Sequence, residues 1–127
     1  MSTDPSGGGP AMQMAHSTHR GVVVLRVTGE VDMTNAGQVQ VALTKALAAA
    51  QRGVVVELAV EFFDSAGLVM LVEANRQAAE AGAPFGIVAT ARAAKQPVMM
   101  TGLHELLTMF DDVEAAVGAF APAAHTD

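Results

Sequence analysis

Short β-branched runs alternate with segments of helical periodicity along most of this sequence. Residues 54–58 (VVVEL) form an almost uniformly apolar run, which is typical of a strand covered on both faces. The next segment, residues 66–81, repeats apolar residues at helical spacing and ends at Gly82. Strands that alternate with helices of this length form βαβ units with right-handed crossovers. The sequence therefore predicts an α/β fold with a mostly parallel sheet.

The segments on either side of these two complete the pattern. Residues 21–27 (GVVVLRV) predict a strand and residues 11–17 a weaker strand before it, joined by a turn at 18–20. The other predicted elements are a helix that follows Thr34 and Asn35 and stops at Gly53, a strand at 85–89, a helix at 97–107 broken near Gly102, a brief strand at 109–110 and a helix at 113–120. Because the first two strands form a hairpin, we expect a mixed, mostly parallel sheet of four to five strands with about four helices.

The length of 127 residues suits a single domain, and a hydrophobic fraction of 51% is enough to form a core. We expect this domain to span residues 11–121. Residues 1–10 are rich in Gly, Pro and Ser and are expected to be disordered, and residues 122–127 are expected to form a flexible tail.

The charge and the residue types exclude several classes of function. A net charge of −6 repels phosphate backbones, so we expect no direct binding of nucleic acid. The absence of cysteine excludes disulfides, thiolate metal sites and a cysteine nucleophile. The N-terminus has neither the basic residues nor the apolar run of a secretory signal, and no apolar run is long enough to span a bilayer. We therefore expect a soluble cytoplasmic protein without a cofactor or metal and without membrane contact.

Two polar turns are predicted at the carboxyl edge of the sheet, where binding sites gather in open α/β folds. They cover residues 28–34 (TGEVDMT) and 61–67 (EFFDSAG), and adjacent parallel strands would bring them side by side. Ser65 lies where a helix starts, and the free N–H groups and dipole of a helix start accommodate a phosphate. Capping by Asp64 explains the same pair of residues without any modification.

Several motifs occur together in this order. They are GEVD at residues 29–32, VVVEL at 54–58 and FFDSAGL at 62–68, followed by Gly102-Leu103 and Met109-Phe110. In combination, over residues 12–120, the sequence resembles the STAS family, and specifically the single-domain bacterial anti-sigma factor antagonists. Two positions depart from the family's pattern. Ala59 stands where the family usually has Ser or Thr, and Glu61 adds a negative charge near the serine.

The resemblance implies a regulatory switch that is not an enzyme. By this resemblance, Ser65 is phosphorylated by the partner, an anti-sigma factor that is also a serine kinase of the GHKL type. The unphosphorylated form binds that partner and frees sigma, and a PP2C-type phosphatase reverses the modification. The residues implied in partner binding are Asp32, Met33, Thr34, Asp64, Ser65, Ala66, Gly67 and Leu68. Leu68 also fits the periodicity of a core residue, and both interpretations stay open.

Three other classes of function compete with this interpretation. A serine hydrolase would need a Gly-X-Ser-X-Gly elbow, and Phe63 occupies the place of the first glycine. A phospho-aspartate receiver would use Asp64, with Glu30 and Asp32 on Mg²⁺, but Lys95 lies several residues beyond the strand that should present it. A constitutive protein-binding or small-ligand-sensing module, in which Ser65 is never modified, remains an alternative.

Overall fold

The computed structural model describes residues 11–122. Its single sheet contains β1 (Gln13–His19), β2 (Val22–Val31), β3 (Val54–Phe63), β4 (Phe85–Ala89) and β5 (Met109–Phe110), in that spatial order. The helices are α1 (Ala36–Ala49), α2 (Ser65–Ala81), α3 (Arg92–Met100) and α4 (Val113–Phe120), with a short 3-10 helix at Leu103–Glu105. The predicted α/β architecture is confirmed. The disorder predicted for residues 1–10 and the tail beyond Pro122 lie outside the described residues.

The sheet is mixed because its first connection is a tight hairpin. β1 and β2 pair antiparallel, and the turn between them has left-handed backbone at Arg20 (φ 53°) and Gly21 (φ 84°). Two consecutive residues with positive φ match the twist of a two-residue hairpin. The pairs β2–β3, β3–β4 and β4–β5 are all parallel, with helices in the intervening connections.

Helices pack on both faces of the sheet. α1, α2 and α3 share one core with the strands, in which Leu25, Leu58 and Ile87 are fully buried. On the other face, Val55 and Val88 pack against α4 in a smaller cluster. Burying side chains of this size stabilises the fold by about 1.5–3 kcal/mol each. β3 lies in the middle of both clusters, as its uniformly apolar sequence predicted.

The predicted turns at residues 28–34 and 61–67 were too long. β2 continues to Val31 and β3 continues to Phe63, and both of these side chains are buried. The two strands stay paired beyond a register irregularity between Gly29 and Glu30. Sheet pairing therefore overrides the polar, loop-like character of residues 28–31, and the true turns begin at residues 32 and 64. Glu61 is the residue that the register skips at the irregularity, and it has no partner in β2.

The helix predicted for residues 97–107 was misplaced. α3 starts at Arg92 and ends at Met100, so Pro97 lies inside it. A proline commonly marks the first turn of a helix, which is why the sequence favoured a start at Pro97. Ala94 and Val98 are fully buried on the inner side of α3, and this packing offsets the hydrogen bond that Pro97 cannot donate. Beyond α3 the backbone turns left-handed at Gly102 (φ 76°).

The irregularity in β2 needs a glycine. Gly29 has φ 89°, and a Cβ there would lie 2.3 Å from the carbonyl oxygen of Ala11. We expect Gly29→Ala to lower the free energy of unfolding by more than about 1 kcal/mol. At Gly37 in α1, a Cβ would have no heavy atom within 4 Å. Gly37→Ala should therefore raise the free energy of unfolding by up to about 1 kcal/mol, because alanine restricts the unfolded chain more than glycine does. Urea unfolding of both variants measures the two effects, and an unchanged stability of Gly29→Ala would contradict this role.

Candidate functional site

The two site-bearing turns meet where β2 and β3 end. The Asp64 N–H donates a hydrogen bond of 3.3 Å to the carbonyl of Val31, the residue before Asp32. Because this bond ties the end of one strand to the turn after the other, Asp32 and Ser65 project from neighbouring positions on the carboxyl edge of the sheet. The two groups that the sequence predicted, residues 32–34 and 64–68, therefore adjoin, although Gly67 is buried and does not reach the surface.

Asp64 caps α2 and exposes Ser65. The Asp64 carboxylate accepts a hydrogen bond of 2.9 Å from the Ala66 N–H, and the Asp64 carbonyl accepts another of 3.0 Å from Gly67. Ser65 is the first residue of α2 and its side chain is exposed to solvent. The helix start therefore combines a satisfied cap with an accessible hydroxyl in the region where the helix dipole favours negative charge.

The Asp32 turn is held by its own side chains. The Asp32 carboxylate accepts hydrogen bonds from the Thr34 hydroxyl and, at 2.9 Å, from the Thr34 N–H. These bonds, led by the one from the hydroxyl, hold the pKa of Asp32 below its usual value. Asn35 accepts from the Asp32 N–H at 3.0 Å and donates to the Glu30 carbonyl at 2.9 Å. Asn35 directly precedes α1, and its side-chain amide closes the turn and makes no capping hydrogen bond to the helix.

Gly67 is a packing requirement of the site. A Cβ at Gly67 would lie 2.6 Å from the ring of Phe63, which is buried beneath the start of α2. Only a residue without a side chain lets α2 begin so close to the end of β3. Gly67 therefore determines how closely the start of α2, which carries Ser65, approaches the end of β3.

Leu68 contacts the core with one part of its side chain and a surface groove with the other. It is half-buried and packs against the main core. Its outer part lines a groove together with Val69 and Val72 of α2 and Leu103 of the 3-10 helix.

The edge around Ser65 is acidic and partly apolar. Glu30, Asp32, Glu61 and Asp64 lie at the strand ends or in the two turns, and within residues 11–122 none of them forms an ion pair. Large apolar side chains are exposed at the same edge: Met33 at 82%, Val69 at 67% and Phe62 at 47%.

Val69 and Phe62 were missed as site residues. The sequence does contain a signal for Phe62. Successive side chains in a strand point to opposite faces, so two consecutive phenylalanines at the end of a strand place one of the two rings on the outer face.

The acidic residues do not converge on a metal. In the part of the chain that the structure describes, no three His, Asp or Glu side chains are placed to share an ion. Lys95 lies in α3 and lines a cavity with His104 and Asp111. The arrangement that a phospho-aspartate receiver needs is therefore not assembled around Asp64. Among residues 11–122, no helix has the length and apolar character needed to cross a membrane.

Fold and site together define a small α/β domain that presents an exposed serine at a helix start, beside an acidic turn. Residues 13–116 match the STAS domain family, and the chain belongs to that family.

Two mycobacterial relatives match most of the chain. The anti-sigma-F factor antagonist RsfB of Mycobacterium tuberculosis is 30% identical over 100 residues, which are 78% of this chain and 81% of that relative. The crystal structure of an anti-sigma factor antagonist from Mycobacterium paratuberculosis has a TM-score of 0.74 and 29% identity, covering 87% of this chain and 94% of that one.

SpoIIAA, an anti-sigma factor antagonist, has the same fold at lower identity. Its unphosphorylated form has a TM-score of 0.71 and 18% identity, covering 91% of this chain and 100% of that one. The phosphorylated form of the Bacillus protein has a TM-score of 0.58 and 19% identity, covering 83% and 96%.

The contact between Gly67 and Phe63 can be tested by a double-mutant cycle. Gly67→Ala should lower the free energy of unfolding by about 1–3 kcal/mol, because the added methyl overpacks the ring. Phe63→Leu in the same chain should make the Gly67→Ala change less costly than it is in the wild type. Urea unfolding of the two single variants and the double variant measures the coupling, and strictly additive effects would contradict the contact.

The hydrogen bonds of the Asp32 turn can be tested by titration. Thr34→Ala removes the hydroxyl donor, so the pKa of Asp32 should rise toward its usual value, as measured by carboxyl ¹³C NMR. Because the folded pKa of Asp32 is lowered, its contribution to stability is present at neutral pH and is lost as the pH falls through that pKa. Thr44→Ala removes an exposed hydroxyl that bonds Gln77 and should leave the Asp32 pKa unchanged.

Proposed function

We propose that this protein is an anti-sigma factor antagonist that is switched by phosphorylation of Ser65. In its unphosphorylated form it binds an anti-sigma factor with serine kinase activity, and sigma is thereby set free. Phosphorylation by that partner ends the binding, and a PP2C-type phosphatase restores it. The observation that carries this proposal is the exposed Ser65 hydroxyl at the start of α2, beside the Asp32 turn. RsfB and SpoIIAA, both named as antagonists, support the partner class.

The helix start explains how the chain accepts a phosphate without unfolding. Phosphorylation adds about −1.5 to −2 charges at neutral pH. At the first residue of α2 this charge lies near the positive end of the helix dipole and is exposed to water. No core side chain needs to move. The modification changes the surface that a partner meets and leaves the packing beneath it intact.

The chemistry of the transfer explains why the partner then dissociates. The Ser65 oxygen must approach the γ-phosphorus of ATP bound to the kinase, and its proton passes to a base of the kinase as the bond to ADP breaks. Afterwards the phosphoserine and the ADP phosphates face each other as anions. The phosphate also needs hydration that the apolar contacts of Val69 and Phe62 would deny it. A cost of about 3 kcal/mol weakens binding roughly a hundredfold, which is enough for a switch.

The second candidate function is a STAS module that senses a small ligand or binds its partner constitutively. A cavity of about 350 Å³ at the ends of β4 and β5 favours the sensing variant. Its lining combines the apolar side chains of Met99, Met109 and Phe110 with polar groups that include Lys95. In this function Ser65 would have only a structural role at the start of α2, and no kinase would modify it.

Phosphate mapping separates these functions. The protein is incubated with the cognate anti-sigma kinase and ATP, and the modified residue is identified by mass spectrometry. We expect phosphate on Ser65, none after Ser65→Ala, and normal labelling after Ser17→Ala, which removes an exposed serine of β1. An acid-labile phosphate on Asp64 would indicate a receiver. An anti-sigma factor that binds but never labels Ser65 would indicate the constitutive module.

A charge substitution tests the mechanism of release. Ser65→Asp should weaken binding of the anti-sigma factor by at least tenfold, as measured by isothermal titration calorimetry, because it places an anion on the contact surface. Its melting temperature should stay close to that of the wild type, since an acidic residue suits a helix start. Ser17→Asp is the matched control for charge and should change neither quantity. A large loss of stability in Ser65→Asp would contradict the proposed tolerance of the helix start.

A further inference from the structure

An apolar stripe runs along α2 from the switch residue. Leu68, Val69 and Val72 follow Ser65 by three, four and seven residues, so all four side chains lie on one side of the helix. The three apolar residues are not withdrawn into the core: Val69 is 67% exposed, and Leu68 and Val72 are half-buried. The face that carries Ser65 is therefore apolar over two turns of the helix.

The stripe forms one wall of a groove whose other wall is the 3-10 helix. The groove has a volume of about 250 Å³ and is lined by Leu68, Val69, Val72 and Leu103, with Glu73 at its rim. Leu106 follows Leu103 by three residues, and its N–H donates to the Leu103 carbonyl at 2.9 Å. Leu106 is the residue directly after the 3-10 helix, and its side chain is 57% exposed. Because side chains three residues apart align in a 3-10 turn, Leu106 offers further apolar surface on the side of Leu103.

The groove suits a protein side chain better than a polar metabolite. Small-molecule sites usually have about 300–1,000 Å³ and a few convergent polar groups. This groove is smaller, and the one charged residue of its lining, Glu73, already accepts a hydrogen bond of 3.1 Å from Arg76. What remains is an apolar cleft that takes a large aliphatic or aromatic side chain.

We propose that this groove, lined by Leu68, Val69, Val72 and Leu103 and extended by Leu106, receives an apolar side chain of the anti-sigma factor. The proposal rests on the proposed function, because a partner that contacts Ser65 lies over the same side of α2. The occupant should be flanked by Lys or Arg, because Asp32, Glu61 and Asp64 at the adjoining edge lack ion-pair partners within the described residues. In this arrangement the groove contributes to the binding affinity, and the phosphorylation state of Ser65 beside it determines whether the complex forms.

Truncation of the exposed walls tests the contribution to affinity. Val69→Ala and Leu106→Ala should each weaken binding of the anti-sigma factor by tenfold or more, as expected of an anchor contact. Val41→Ala is the matched control, because Val41 is similarly exposed at 54%, lies on α1 and does not line the groove. It should change the affinity less than twofold. Because all three residues are exposed, the melting temperatures of the variants should stay close to that of the wild type. A loss of binding can then be attributed to the lost contact with the anti-sigma factor and not to unfolding.

Cross-linking tests the location directly. The chain contains no cysteine, so Leu106→Cys and Val41→Cys each offer a single thiol for a benzophenone maleimide. Light should join the labelled Leu106→Cys protein to the anti-sigma factor, and the labelled Val41→Cys protein should give little or no product. Adding Ser65→Asp to Leu106→Cys should remove the cross-link, because the same complex no longer forms.

The outcomes distinguish this inference from the proposed function. Binding that responds to Ser65→Asp but not to Val69→Ala or Leu106→Ala, with no cross-link from position 106, would overturn the groove and leave the switch intact. Equal losses in Val41→Ala and Leu106→Ala would also overturn it. Failure of the wild-type protein to bind any anti-sigma factor would instead overturn the proposed function.

Discussion

The extended parallel pairing of β2 with β3 is the interaction on which the rest of the structure depends. Beyond the irregularity at Gly29, the strands stay paired as far as Val31 and Phe63, and the Asp64 N–H closes the pairing on the Val31 carbonyl. This pairing determines where each turn begins. Because both turns leave the sheet at the same level, an acidic turn and a helix start become one surface, although about thirty residues separate them in the chain.

One side of α2 packs in the core, and the opposite side faces solvent. Its inner side contributes Gly67, Met70 and Leu71 to the packing against the sheet, and these residues are buried. Its outer side presents Ser65 and Val69 to solvent. A charge that is added to the outer side would change the hydration of this surface without disturbing the packing of the inner side. The proposed switch at Ser65 depends on this division.

Much of the architecture could be predicted from the sequence, because strand and helix periodicities alternate clearly and the cap at Asp64 is a local signal. The strand ends could not be predicted, since Glu30 looks like a loop residue until it is paired with Phe62 across the irregularity. The start of α3 was also misplaced, because Pro97 is a strong local signal that the burial of Ala94 and Val98 overrides. Within the site, local motifs indicated Ser65 and its neighbours, but the exposure of Phe62 and the bonds of the Asn35 side chain across the turn appear only in the structure.

The sequence by itself determined the class of fold, the position of a serine at a helix start and the acidic character of the turn beside it. These features depend on residues that are close together in the chain. Only the tertiary structure decided that the two turns adjoin, that Leu68 contacts both the core and a groove, and that Leu103 lines this groove together with Val69 and Val72 of α2. Periodicity identifies the apolar side of each helix, whereas the groove exists only where two such sides are brought together by packing on the sheet.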